Sequence, residues 1–402
     1  MIKNEKKILG LTAASHNLVH LYEGVLPPII PLVMVQFSTD YFHLGIVVSI
    51  FSYAFGIGSL PAGWLSDRVA PIRLIALYLF GAGLLSVFMY PVQNIWIYGM
   101  MMGLVGLLCS IYHPASNTLI SHAITEKGQA FGIHGIAGSL GVAIAPVLSA
   151  WLGSGFGWEA PHIIYGIMGI LAGAFALRIH APVRKRPVYD AANPPSGMDR
   201  IAIVRLIIFY CSAGFLGLTY KGIMTFLPVY MGEQVQLSFL SADKLTLGGT
   251  VATFTLLSGA VGQYIGGRLV DRFGPEKIYA VAIGAGALSV WGMAVTTNWL
   301  LILAAVTYAF FYFATQPVQN FMLSRYLPLH RHGIGFGTQF FITFGVGSTA
   351  AAVSGYIADH HGLPSIFYAM TGCFAVSSVL SLVLIYYNRL AQNRAEDGVA
   401  RS

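Results

Sequence analysis

Charge is scarce in this sequence: Asp, Glu, Lys and Arg make up 9% of its 402 residues, whereas soluble domains carry about 25%. With hydrophobic residues at 56% and a mean hydropathy of +0.70, that scarcity excludes a water-soluble fold and points to an integral membrane protein. Charge is absent altogether from residues 74–125 (52 residues), 278–324 (47) and 128–158 (31). At about 1.5 Å per residue, one helix over the first run would far exceed a hydrocarbon core of roughly 30 Å, so this run holds two crossings and a turn. Closed β-barrels are built from short alternating strands, and runs of this length exclude them.

Cysteine is scarce too. Cys109, Cys211 and Cys373 stand inside apolar blocks, without metal-ligand spacing or a disulfide framework, and read as small buried hydrophobes. The sequence also lacks a phosphate-binding loop, a nucleotide fold and any Ser/His/Asp or zinc-hydrolase signature, so nothing supports an enzyme and no cofactor is expected. The net charge of +7 is no nucleic-acid footprint, because the basic residues are scattered between hydrophobic blocks rather than gathered among aromatics. MIKNEKK leads into an apolar segment that continues past Glu23 to Phe37 with no small-residue cleavage site. It reads as a first crossing, not a signal peptide.

What remains is an all-α membrane protein. Charges and turn residues predict crossings near 8–36, 43–64, 74–90, 95–119, 130–152 and 160–178, then near 201–231, 246–266, 278–295, 299–323, 333–357 and 363–388. Residues 1–179 form one six-helix bundle, 180–200 a proline-rich charged linker, 201–390 a second bundle and 391–402 a tail. Pro27, Pro28, Pro31 and Pro228 predict bends or tilts in the long first and seventh crossings.

Twelve crossings return both termini to one side, and 20 of the 22 basic residues fall on that side or at its membrane edge. Lys244 lies on the other side, with Asp40, Glu159, Glu233, Asp243 and Asp359. By the positive-inside rule both termini are cytoplasmic, in a cell membrane read as a bacterial inner membrane. Cysteine labels near Lys244 and near Asn193 are therefore expected to react from opposite sides of an intact membrane; reaction of both from one side would overturn this topology.

The two halves echo each other. GWLSDR at Gly63–Arg68 returns as GRLVDR at Gly267–Arg272, and YEGVLPP at Tyr22–Pro28 as YKGIMTFLP at Tyr220–Pro228. His113-Pro114 matches Gln316-Pro317. Offsets of 198 to 204 residues, in order, are the weak internal symmetry of a transporter made of two similar bundles.

Gly63, Leu65, Asp67, Arg68 and Arg73, repeated as Gly267, Leu269, Asp271, Arg272, Gly274 and Lys277, resemble the loop motif of the major facilitator superfamily. The first copy has Ala70 where the pattern prefers glycine. SHNLVHLYEG at Ser15–Gly24, YHPASNTL at Tyr112–Leu119 and GIHGIAGSLGVAIAP at Gly132–Pro146 are similar to fosmidomycin-resistance-type exporters and their relatives, which often carry glutamate where this chain has Ala115. The resemblance implies two pseudo-symmetric six-helix bundles and gating roles for Asp67, Arg68, Arg73, Asp271, Arg272 and Lys277. It also makes Gly138, Gly141, Ala145 and Pro146 an exporter-like fifth-helix pattern, with Ala145 replacing a glycine. The fourth-helix arginine of many drug/proton antiporters is missing from GLVGLLCSIYHP at Gly103–Pro114.

Polar residues inside the crossings are expensive and mark the pathway. Glu23 and Lys221 occupy corresponding positions of the two halves and face a shared axis. His16, His20 and Glu23 fall within about 60° on one helix face. This set could ligate zinc or iron, but a cavity-lining stripe has the same spacing, and no metal site is expected. His113 and Asn117 on the fourth crossing, His134 on the fifth, Gln316 and Asn320 on the tenth and Gln339 on the eleventh complete the expected substrate and proton pathway. The leading function is secondary active export of a small polar or amphiphilic compound by a monomer, with protons as coupling ion and the lipid bilayer and substrate as partners. The alternatives are uptake of an organic anion with protons and, far behind, a membrane receptor or scaffold without transport.

Overall fold

The computed structural model describes residues 3–66, 68–125, 127–179, 200–236, 242–327 and 332–400. The expected linker therefore falls outside the described residues, apart from Arg200. Among those described, the chain is helical almost throughout and contains no strand. Hydrocarbon offers the backbone no hydrogen-bond partner, so each crossing must satisfy its own N–H and C=O groups as a helix.

Among the described residues eleven helices are long and apolar enough to span a bilayer, and one shorter apolar helix completes twelve crossings. They are α1 (Asn4–Phe37), α2 (Tyr41–Ser66), α3 (Pro71–Val87), α4 (Ile95–Ala123), α5 (Ala130–Phe156), α6 (Glu159–Ala176), α7 (Arg200–Gln234), α8 (Lys244–Val270), α9 (Pro275–Val295), α10 (Asn298–Tyr326), α11 (Ile334–His361) and α12 (Pro364–Ala391). Leu77, Leu84, Val281, Leu288 and Leu303 stand outward and exposed, as a lipid-facing surface requires.

Local sequence explains where helices start and break. Pro71 and Pro275 open α3 and α9, where the missing N–H costs nothing. In α1 the helix is interrupted at Val25, because Pro28 cannot bond the Gly24 carbonyl four residues back and its ring crowds it. The break in α4 between Cys109 and Tyr112 stands in the same relation to Pro114. By contrast α7 runs unbroken through Pro228. Inside α11 a π-helical turn over Phe341–Gly345 and a 3₁₀ turn over Val346–Ser348 separate two α-helical stretches.

The halves meet along α2 against α11 and α5 against α8. Contact is close: a β-carbon at Gly45 would overlap the Ala351 carbonyl, and one at Gly355 the backbone of Tyr41. Polar latches sit at the end away from the termini. Asp359, near the end of α11, accepts the Tyr41 and Phe42 N–H groups at 3.2 and 2.8 Å, capping α2 from the other half. At the symmetry-related place Ser154 of α5 donates to Asp243, the N-cap of α8, at 3.0 Å.

Partial burial opposes ionisation of Asp243, yet hydrogen bonds from Thr246 and Ser154 outweigh it and hold the carboxyl below its ordinary value. Asp40 is held low in the same way: burial opposes, and the His43 amide and imidazole prevail. A depressed pKa means that these contacts contribute above the unfolded value of 3.8 and fade only as pH falls through the lower folded value. Both carboxylates stay ionised from about pH 5 to 8 and cannot sense protons there.

Candidate functional site

Between the halves, in the part of the interface nearer the termini, lies a cavity of about 480 Å³. The break in α1 leaves Glu23 in the last turn before Val25, with His20 and His16 one and two turns earlier on the same face. The break in α4 likewise sets His113 at the start of its second stretch, with Asn117 one turn on. These five line the cavity with Gln316 and Asn320 of α10 and Gln339 of α11.

Lys221 of α7 meets Glu23 across the two halves, Nζ to Oε1 at 2.5 Å. Glu23 Oε2 lies 3.0 Å from His20 Nδ1. Lys221 is 5% exposed and Glu23 15%, so little solvent screens the attraction, and removing one partner would leave a buried charge at a cost of about 3–5 kcal/mol. The lysine also lies 5.3 Å from the Phe344 ring centre and 5.7 Å from that of Tyr220, distances at which an aromatic face attracts a cation. On the far side of the pair a smaller hollow of about 50 Å³ is lined by Lys221, Pro27, Pro146 and Pro228 among others.

Imidazoles fill the α1–α4 corner. The His16 ring stacks on His134 at 4.2 Å and meets His113 edge-on at 5.1 Å. His16 Nδ1 donates to the His134 carbonyl at 2.6 Å. His134, expected on the cavity wall, is instead buried behind His16, and Tyr112 OH lies 3.4 Å from its Nδ1. His16, His20 and His113 each bring one ring nitrogen within 4.8 Å of the others. This cluster has His113 from α4 where the one-helix stripe had Glu23, which instead binds lysine and orients His20.

Sequence reasoning overlooked a glutamine network. Ser139 donates to Gln263, whose amide donates to Gln316 at 2.6 Å. Gln339 donates to Gln319 at 2.9 Å, and Gln319 to Tyr279 OH, which reaches Ser212 and then Ser377. The signal was present in amides at 263 and 319 inside apolar helices, where polar side chains seek the bundle interior. Asp359 was counted only as a charge of sidedness; the latch it makes is 317 residues distant in sequence.

This architecture has known counterparts. The sequence matches the family description "Major Facilitator Superfamily" over residues 12–351 and 209–400. The chain belongs to the major facilitator superfamily. It is similar to a probable galactarate/D-glucarate transporter of Bacillus subtilis (strain 168), at 26% identity over 86% of this chain and 84% of the relative. It is also similar to the fosmidomycin resistance protein of Escherichia coli (strain K12), at 24% identity over 90% and 88%. A bacterial homologue of the human lysosomal transporter Spinster, crystallised inward-facing and occupied, shares the fold with a TM-score of 0.77 and 14% identity over 96% of this chain and 98% of that one. This protein is accordingly a multi-pass membrane transporter, not an enzyme.

The superfamily's duplicated loop is partly visible. Asp67 and the Asp271 side chain lie outside the described residues; Arg73, Arg272 and Lys277 are exposed. Arg68 lies over the Trp64 ring at 3.9 Å and donates to the Trp64 carbonyl. Gly274 has φ +79°, a left-handed turn that favours glycine, whereas the corresponding Ala70 has φ −56°. The first loop therefore turns without a glycine. We expect Asp67→Asn and Asp271→Asn, which remove a negative charge with little change of volume, to slow transport about tenfold while the purified protein stays folded. Normal turnover in both variants would show that these carboxylates only end helices.

In the fifth-helix pattern Gly138 lies against the His16 ring, Gly141 against the Asn17 backbone and Ala145 against Gly24. The Pro146 carbonyl meets Gly249 of α8. These small residues let α5 touch both α1 and the other half closely.

Proposed function

We propose that this transporter carries a small organic anion together with a proton, by alternating access of the two bundles around the Glu23–Lys221 pair. That interbundle pair carries the reading. While Glu23 is ionised it occupies Lys221; protonation removes the negative charge and frees the ammonium for a carboxylate or phosphonate. Proton and anion then favour each other's binding, and by linkage the coupling is reciprocal, the energetic condition for co-transport. The cavity's amides supply neutral hydrogen bonds for hydroxyl or carbonyl groups of the cargo. Names among the relatives support the substrate class, since galactarate and glucarate are sugar dicarboxylates. Asp40 and the latch carboxylate Asp243 are held ionised across the working range, so neither carries the proton.

The charge split supports termini in the cytoplasm and a bacterial inner membrane. The end closed by Asp359 and Asp243 then faces outward. A second reading, export in exchange for protons, draws support from the fifth-helix pattern and from similarity to a fosmidomycin resistance protein. Proteoliposomes separate the two: an inward proton gradient should drive sugar acids inward in co-transport and outward in exchange. Absence of any gradient-driven or counterflow flux across a panel of organic anions would remove both.

A further inference from the structure

We propose that His16, His20 and His113 form a binding site for a divalent transition-metal ion of the zinc, nickel or copper(II) class, entered from the cavity. The charge pair uses Glu23 and Lys221 but does not by itself explain a corner where three imidazoles from two helices converge within 4.8 Å. His16 and His20 are one turn apart on one face of α1, a spacing that presents two imidazoles to one ion.

An outer layer already orients two of the three rings. His16 Nδ1 lies 2.6 Å from the His134 carbonyl, which only accepts, so the proton sits on Nδ1 and the Nε2 lone pair is left for a ligand. His20 Nδ1 faces the Glu23 carboxylate at 3.0 Å with the same consequence. A backbone carbonyl and a carboxylate are the partners that metal-bound histidines usually have on their other nitrogen. The third ring contributes an independent sign: His113 Nε2 is shielded from solvent and has no hydrogen-bond partner. The His16 ring is further held between His134 and Gly138, where a β-carbon would collide with it.

Metal–nitrogen bonds of about 2.0–2.1 Å at tetrahedral angles need nitrogens about 3.3 Å apart. The three nitrogens, within 4.8 Å of one another, must therefore draw together by up to about 1.5 Å when an ion binds. Glu23, bridging His20 and Lys221, places negative charge beside the ion and keeps the ammonium occupied. All three rings line the cavity, whose water would complete the shell. This inference is independent of the transported compound, because it concerns an equilibrium at a site measurable without flux.

The test uses the purified full-length transporter with any affinity tag removed, titrated with Zn²⁺ by calorimetry and with Co²⁺ by visible absorption. One ion per chain is expected, with a tetrahedral Co²⁺ spectrum. His113→Gln should weaken binding at least tenfold, and Glu23→Gln, one layer out, by about 10–100-fold. His360→Gln, on the exposed end of α11, should leave affinity unchanged. Absence of stoichiometric binding in the unaltered protein, or unaltered affinity in His113→Gln, would overturn the proposal. Copper(II) paramagnetic resonance on the unaltered protein decides the matter if a variant does not fold: three directly bound imidazole nitrogens support the site, and fewer exclude it.

Discussion

Glu23→Gln is expected to abolish gradient-driven accumulation in proteoliposomes while anion binding persists. The amide keeps the hydrogen-bonding shape of the carboxylate but cannot take up a proton, so Lys221 is never alternately held and released. It also leaves Lys221 buried without a counter-charge, so the purified variant should melt lower, by the equivalent of about 3–5 kcal/mol. Lys221→Met is expected to weaken anion binding by at least about 100-fold, and it strands Glu23 in turn. The double variant separates structure from transport: with both charges gone, stability should return and accumulation should not. Recovery of both would reduce the pair to a structural ion pair. Undiminished coupled flux in Glu23→Gln would pass the proton-carrying role to His20, His113 or His134.

Asp359→Ala is expected to open the end of the transporter away from its termini. The carboxylate holds two first-turn N–H groups of α2 from the opposite bundle, and no other group described in the structure caps Tyr41 and Phe42. Water shares this exposed site, so we assign the latch about 1.4 kcal/mol, a shift of about tenfold toward the open state. The reporter is a cysteine at Ser49, buried in the closed interface where its hydroxyl donates to the Ser348 carbonyl at 2.6 Å. Its labelling from that face should accelerate about tenfold in Asp359→Ala and less in Asp359→Asn, whose amide oxygen still accepts. An unchanged rate would show that closure rests on the backbone packing of Gly45 and Gly355 alone.

Hydropathy and charge, read along the chain, were enough to establish a membrane protein of twelve helices and to single out Glu23 and Lys221. These properties are local: a bilayer taxes each buried charge wherever it falls, and each crossing must be apolar whatever its neighbours. The duplicated motifs carried the family for the same reason, since a loop signature is written in consecutive residues. Pairing was decided only by the tertiary structure. That His113 joins His16 and His20, that His134 stands behind them, and that Gln263 and Gln319 bind cavity amides all depend on how helices distant in sequence rotate about their axes. A helical periodicity names a face without naming its partner. The Asp359 latch is the sharpest case, because the groups it caps belong to a helix start 317 residues earlier. Only the packing of α2 against α11 brings that carboxylate to those amides, and the same packing decides which end of the transporter is shut.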